Sequence, residues 1–463
     1  MARQQKKIII TVTLLCCFVF FCQVNAQKET GVLNTGQKKE IIEKISKLLK
    51  DNYVFPDLGE KYGQEILAVF KSGQFDNITN SKEFCAAVTD VLQKLMKDKH
   101  LLLRLIEASD LGEDEHGSLH HPLRYYRLGQ KEHLGIFRLD WLENGIGYLD
   151  YRRFYNQEKA KEMLLHAIQF LSSANAIIID LRKNQGGSGS LIPLLLSYFL
   201  EYPTQLTSTY YRNGNITEEW WIHEKVKGKR LLDVPLFLLI GKNTFSAAEY
   251  LAYDLKVRKR AILVGETTKG GAHSVDLFKI GERFEIYIPT ARAVNPVTGS
   301  NWEGTGVIPD VAVPEKSALD TAIGLAKKAA LEYEKVKNKK IMEAVDVIQR
   351  QLDQAEMFFK KGKINEAKSV LDSAFQKAVE IDIVDEFFIQ VLAHHYSSIQ
   401  AQGMAIAILN KLIEFFPNSA SGYFSLAWAY YKKGDKVLAR KNFKKVLELD
   451  NHNSLAKQLL KKL

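Results

Sequence analysis

The chain has 463 residues, enough for two or three domains, with 25% charged residues and a formal net charge of +10. That charge is mild for the length, and the lysines are scattered with a cluster only at the far C-terminus, which argues against nucleic acid as a partner and for a solvated basic surface. Three of the four cysteines (Cys16, Cys17, Cys22) fall in the first twenty-six residues, so Cys85 alone is left to the folded part and an internal disulfide is excluded there.

Residues 1–26 read as a signal peptide. Arg3, Lys6 and Lys7 precede an apolar run from Ile8 to Cys22, and Val24-Asn25-Ala26 supplies the small-residue stop, with cleavage expected after Ala26. The run is shorter than the roughly 20 residues that a spanning helix needs, so no stable membrane insertion is expected after cleavage. The leader cysteines follow Leu15, Cys16 and Phe21, where lipoprotein processing wants Gly or Ala. Removing the leader takes three positive charges from +10 and leaves +7 on an exported chain, periplasmic or secreted.

Residues 27–100 read as an N-terminal helical domain. Ile41, Ile42, Ile45, Leu48 and Leu49, then Tyr62, Ile66, Leu67 and Phe70, then Phe84, Cys85, Val88, Val91 and Leu92 recur at helical spacing, with turns at Phe55-Pro56-Asp57 and Asp76-Asn77. Cys85 sits on the apolar stripe of the third helix as a buried residue.

Residues 101–316 change character. Buried-strand runs at Ala176–Asp180, Pro235–Ile240 and Ala261–Val264 alternate with helical stretches at Leu191–Leu200 and Ala247–Val257, which predicts an α/β layer with a mostly parallel sheet. Phe284, Ile286 and Ile288 alternate as a half-exposed strand would. Residues 317–344 read as a helical linker and 345–463 as an all-α repeat domain. Tyr396, Ala405, Leu409, Leu412 and Pro417 recur thirty-four residues later as Tyr430, Ala439, Phe443, Val446 and Asn451, and Gly362, Ala367, Leu371 and Ala374 echo them earlier. This pattern resembles the tetratricopeptide repeat, which implies a surface for a protein or peptide partner.

Three loops of the middle region carry candidate chemistry. In Asp180-Leu181-Arg182-Lys183-Asn184-Gln185-Gly186-Gly187, two glycines after a strand allow backbone amides to face a ligand, as an oxyanion hole or phosphate cradle requires; a tight strand-to-helix turn would look alike. In Gly241-Lys242-Asn243-Thr244-Phe245-Ser246-Ala247-Ala248-Glu249, Ser246 stands where a helix begins, a place suited to a cap or to a nucleophile. No G-x-S-x-G elbow is present. In Thr298-Gly299-Ser300-Asn301-Trp302-Glu303-Gly304-Thr305-Gly306-Val307-Ile308-Pro309-Asp310, Glu303 lies between an aromatic ring and glycines.

Together these loops, with Asn52-Tyr53-Val54-Phe55-Pro56, resemble the C-terminal processing (tail-specific) protease family, in the branch shared by the tricorn protease core and interphotoreceptor retinoid-binding protein, over about Leu48 to Pro314. The resemblance implies a crotonase/ClpP-like α/β core and a serine peptidase mechanism without metal or cofactor, acting on peptides or unfolded proteins. By motif position it makes Ser246 the nucleophile, His100 the general base, Glu303 an acid that orients the network, and the amides of Gly187 (or Gly186) and Ala247 the oxyanion donors. His273, in Gly270-Gly271-Ala272-His273, is implied as a substrate contact.

Two departures stand out. The tail-specific branch places its lysine base about 25 residues after the serine, where this chain has Gly271 with Lys269 two residues early, so Lys269 is the rival to His100. The tricorn branch has a serine just before its histidine, where this chain has Lys99, whose charge is expected to pair with Glu303. Only about 30 residues separate His100 from Leu134-Gly135-Ile136-Phe137, too few for a PDZ domain, which leaves recruitment to the C-terminal repeats. Glu115, His116, His120 and His121 have zinc-ligand chemistry but lack an amphipathic helix to hold them on one face, and read as solvated loop residues. The alternative function is a catalytically inactive binding protein of the same fold, holding a peptide or an apolar ligand.

Overall fold

The computed structural model describes residues 31–106 and 120–463; the leader, with its expected cleavage site, and Glu115 and His116 lie outside the described residues. The chain divides into two compact units, residues 1–333 and 334–463.

In the first unit, helices α1 (Thr35–Asn52), α2 (Pro56–Lys71) and α3 (Ser81–Met96) start where capping chemistry dictates. Asn34 accepts from the Gln37 amide, Pro56 opens α2 with a residue that has no amide to orphan, and Asn80 accepts from the amides of Lys82 and Glu83. The helices do not close a core by themselves. Ile41, Ile42, Ile45, Phe84 and Val88 share one with Leu103, Phe284, Ile286 and Ile288 of a five-stranded sheet. Cys85 is buried in that core, which pushes its thiol up to about 11.

The strands are β1 (Leu102–Leu105), β2 (Ile136–Leu142), β3 (Ile146–Tyr151), β4 (Ala176–Asp180), β5 (Ser208–Tyr211), β6 (Ile216–Glu218), β7 (Leu236–Ile240), β8 (Ile262–Gly265), β9 (His273–Ile280), β10 (Phe284–Val294) and β11 (Val311–Ala312). The five-stranded sheet runs β1-β10-β5-β6 with β9 also on β10, all antiparallel. The expected half-exposed alternation at Phe284, Ile286 and Ile288 does not hold. Strand β10 is covered on its second face as well, and Glu285, only 5% exposed, is paired with Arg104.

The six-stranded sheet runs β11-β8-β7-β4-β3-β2, parallel except for the β3–β2 hairpin, as the alternating pattern predicts. Strands β3, β4 and β7 are buried along their whole length, which explains why they read as unbroken apolar runs. One face packs under α5 (Glu158–Phe170), α6 (Ile192–Leu196) and α7 (Ala247–Val257), which follow α4 (His120–Lys131) in the chain. The other lies under Ala318, Ala322, Ala326 and Ala330, a stripe of small side chains on α8 (Glu315–Lys360) that lets the helix approach closely. The expected helix over Leu191–Leu200 is shorter. It closes at Leu196 because the Ser197 hydroxyl donates to the Pro193 carbonyl and accepts from the His223 amide, drawing the chain into a turn.

The second unit is helical: after the end of α8 come α9 (Ile364–Glu380), α10 (Glu386–Ser398), α11 (Gln402–Phe415), α12 (Ala420–Lys433), α13 (Lys436–Leu449) and α14 (Ser454–Lys462). Ala405, Ala427 and Ala439 are wholly buried where helices cross, and Gly434 closes α12 in the left-handed conformation. Among the described residues, no helix is long and apolar enough to cross a membrane.

Candidate active site

Three loops leave the carboxyl ends of three adjacent parallel strands: residues 181–188 after β4, 241–246 after β7 and 266–272 after β8. In an open α/β sheet that edge is where backbone amides and helix starts gather. The first two loops are stitched together. The Asn184 side chain donates to Tyr151 O at 2.8 Å, its backbone carbonyl accepts the Phe245 amide at 3.0 Å, and Thr244 Oγ1 donates to Leu181 O at 2.8 Å.

The paired glycines are required by space as well as by backbone angle. Gly186 and Gly187 have φ of +91° and +126°; a Cβ on Gly187 would stand 2.2 Å from Phe154 O, and one on Gly186 2.8 Å from Ser246 Cβ and 3.0 Å from Ala247 N. The Gly186 amide is already spent on Asn184 Oδ1 at 2.8 Å. Those of Gly187 and Ala247 donate to no protein acceptor among the described residues, so they are the free pair beside Ser246.

Ser246 caps α7 with φ +55° and ψ −119°, a conformation that a non-glycine residue keeps only when its surroundings hold it. Glu249, fully buried, is what holds it. Its Oε2 accepts the amides of Ser246 and Gly271, both at 2.9 Å, and its Oε1 accepts Thr268 Oγ1 at 2.5 Å and the Gly270 amide at 2.6 Å. One carboxylate thus joins the serine turn to the loop after β8.

His100 arrives from the turn that ends α3, where Lys97 takes the left-handed conformation. Its ring stacks on Phe245 with centroids 4.5 Å apart and planes at 29°, and a Cβ on Gly271 would lie 2.7 Å from its Cε1. The imidazole therefore stands beside the residue preceding Ser246, although His100 and Ser246 share no hydrogen bond, and His100 Nδ1 is buried without a partner. Burial pushes the ring down to about 4; the Asp98 carboxylate acts against that, and the charges of His273 and Lys269 reinforce it.

Glu303 makes no hydrogen bond to His100. Its Oε2 accepts the amides of Ala272 at 2.5 Å and His273 at 3.2 Å and lies 3.6 Å from His273 Nδ1, while its Oε1 is buried without a partner. Burial, then the nearby Asp98 charge, pushes its carboxyl up to about 7. His273 is 6% exposed and bonds Asp98 Oδ2 through Nδ1 at 2.6 Å; Tyr53 Oη donates to the same oxygen at 3.2 Å, and Asp98 Oδ1 accepts the His100 amide at 3.1 Å. The donor atoms of Asp98, His273 and Glu303 lie within 4.8 Å of one another. The 2.6 Å between Asp98 and His273 suits a shared proton, whereas neighbouring ligands on a tetrahedral zinc stand about 3.3 Å apart.

The expected pairing of Lys99 with Glu303 is not formed, because the Lys99 ammonium donates instead to the Lys269 carbonyl. The Lys269 ammonium lies 4.5 Å from the Phe245 ring centroid, on the same residue that carries His100. His120 and His121 open α4, and their side chains lie outside the described residues. Asp98, Tyr53, Glu249 and Thr268 belong to this constellation and were not singled out from the sequence. An acid at the third helical position after Ser246 is the one signal that pointed to Glu249, and it reads as ordinary capping.

Three family models match stretches of the chain. Residues 145–313 match peptidase family S41, residues 27–127 match the N-terminal domain of Peptidase_S41 in eukaryotic IRBP, and residues 420–453 match the tetratricopeptide repeat. A carboxyl-terminal-processing protease of Picosynechococcus sp. is 29% identical over 173 residues, 37% of this chain and 40% of that protein. The chloroplastic carboxyl-terminal-processing peptidase 2 of Arabidopsis thaliana is 27% identical over 177 residues, 38% of this chain and 33% of that protein. The matched segment thus spans two fifths or less of these relatives. Among solved structures, a putative peptidase from Parabacteroides merdae aligns with a TM-score of 0.43 at 19% identity over 62% of this chain and 96% of that one, and the tricorn protease with 0.42 at 11% over 65% and 37%. Over residues 145–313 this chain is therefore similar to peptidase family S41, with a match to that family's N-terminal domain before this stretch and to the tetratricopeptide repeat after it.

Proposed function

We propose that the chain is an exported serine peptidase that hydrolyses peptide bonds in peptides or unfolded proteins. Ser246 Oγ attacks the scissile carbonyl, His100 takes its proton and returns it to the leaving amine, and the Gly187 and Ala247 amides bind the oxyanion. The observation that carries this reading is the strained backbone of Ser246 set beside two amides without acceptors. His100 fits the base role because burial keeps it neutral at physiological pH. The hydrogen bond between base and nucleophile forms when substrate closes the site, as catalytic bonds tighten in the Michaelis complex. Glu303 acts through the loop of Ala272 and His273, and the C-terminal repeats recruit the substrate chain. The lack of a hydrogen bond between His100 and Ser246 favours the second reading, a binding protein of the same fold for a peptide or apolar ligand. Reaction with a fluorophosphonate probe separates the two: covalent labelling is expected in the native protein and lost in Ser246→Ala, and a native protein that takes no label favours the binding reading.

A further inference from the structure

The residue that fixes the proposed base need not be the acid that lies near it in the family pattern. His100 receives no carboxylate on its ring; its free Nδ1 is buried, and its orientation comes from the backbone beneath it and the ring beside it. Two contacts set that backbone. Asp98 Oδ1 holds the His100 amide from within the same turn, and Asp98 Oδ2 is held in turn by His273 Nδ1 and Tyr53 Oη. His273 opens β9, paired with Arg292 of β10, and its own amide and that of Ala272 are fastened to Glu303. Two residues earlier in the same segment, Gly271 packs against both His100 and Phe245. The side chain of His273, at 5% exposure, is therefore the clasp between the turn that carries His100 and the strand segment that floors it.

We infer that His273, clasped between Asp98 and Glu303, is a positioning residue for His100 in the proposed reaction and not a substrate contact. The inference rests on the reading of Ser246 as nucleophile and His100 as its base. Burial alone would strip the proton from His273, but the hydrogen bond and charge of Asp98 and then the charge of Glu303 outweigh it, while Arg292 counts the other way. Burial likewise works to keep Asp98 protonated and the His273 contact overrides it, so each member of the pair favours the charged form of the other. Phe55 closes the remaining side, edge-on at 5.7 Å between centroids. The groups that bear on His100 are then Asp98, which favours its proton, and His273 and Lys269, which oppose it. The clasp has two separable effects: geometric through its hydrogen bond to Asp98, and electrostatic through its positive charge.

The pH dependence of fluorophosphonate labelling separates them in the full-length protein. His273→Ala removes both effects, so labelling should slow by about tenfold to hundredfold, the range expected when a reacting group is misplaced by about 1 Å. The acid limb of the rate profile should also move to higher pH, since a charge that disfavours protonated His100 is gone. His273→Asn keeps a donor where Nδ1 stood and lacks the charge: part of the rate should return while the limb stays displaced. If the alanine variant fails to melt cooperatively, the position of the acid limb in the asparagine variant decides. Variants that label at the native rate with an unmoved acid limb would overturn the role of His273 and leave Ser246 as nucleophile standing, whereas a native protein that takes no label would overturn both.

Discussion

Glu303 and Asp98 share one buried imidazole, and the two carboxyls are pushed in opposite directions. Asp98, bonded directly to His273, is held below the usual carboxylate range against its own burial, while burial and the charge of Asp98 lift Glu303 to about 7. A group whose carboxyl is raised on folding adds stability below the unfolded value near 4.5, and that contribution is lost as pH rises through 7. Glu303→Gln removes this loss, so the stability of the variant relative to the native protein should climb between pH 5 and pH 8 in urea titrations; a difference that does not change with pH would refute the buried charge. The contribution of His100, depressed in the fold, is lost in the opposite sense as pH falls and cancels from the comparison. The loops of Ser246, Glu303 and the glycine pair were legible as turns, and only their joint resemblance to a known family gave those residues roles. Asp98 was not: between Lys97 and Lys99 it looks like part of a charged surface turn, and only tertiary packing reveals that it is 1% exposed while both lysines face solvent.

At the scale of elements, the site depends on three strand-to-loop exits meeting, and Glu249 is the pin. Four donors converge on its carboxylate from α7, Thr268, Gly270 and Gly271. In Glu249→Gln one oxygen becomes an amide nitrogen, and whichever oxygen is replaced, donors that it accepted are left facing a donor. The variant should lose about 2–4 kcal/mol, from buried hydrogen bonds left unmade, and should label more slowly with fluorophosphonate. Thermal unfolding and labelling rates check both, and a variant as stable as the native chain would show that the two loops are held some other way. The parallel strands were readable from their unbroken apolar runs, and α7 from its sequence limits, because both are set by local pattern. The short α6 was overextended because the hydrogen bond from the His223 amide to Ser197 that helps close it is tertiary, and β10 was read as half-exposed because its alternation does not show that Glu285 is buried against Arg104.

At the scale of the molecule, each of the two compact units has its own hydrophobic clusters, with Ala427, Ala439, Phe443 and Val446 among the buried residues of the repeats. Ala439 is wholly buried in an apolar cluster, so Ala439→Asp places a charge among apolar side chains and should abolish the thermal transition of the repeat unit. Under the proposed division of labour, the variant keeps its fluorophosphonate labelling within about twofold, because Ala439 belongs to the other compact unit, and cleaves an unfolded protein more slowly. Equal loss of both activities would mean that the repeats serve the catalytic site and not recruitment. The thirty-four-residue period made the repeats visible from sequence, whereas the clasp of Asp98 and His273 joins residues 175 apart and leaves no periodic trace. The most direct test of the whole account is a crystal structure of the full chain with a peptide boronate. The account predicts boron bonded to Ser246 Oγ, a boronate oxygen on the Gly187 and Ala247 amides, and a His100 ring nitrogen within about 3 Å of Oγ; boron on another residue, or His100 still out of reach, would contradict it.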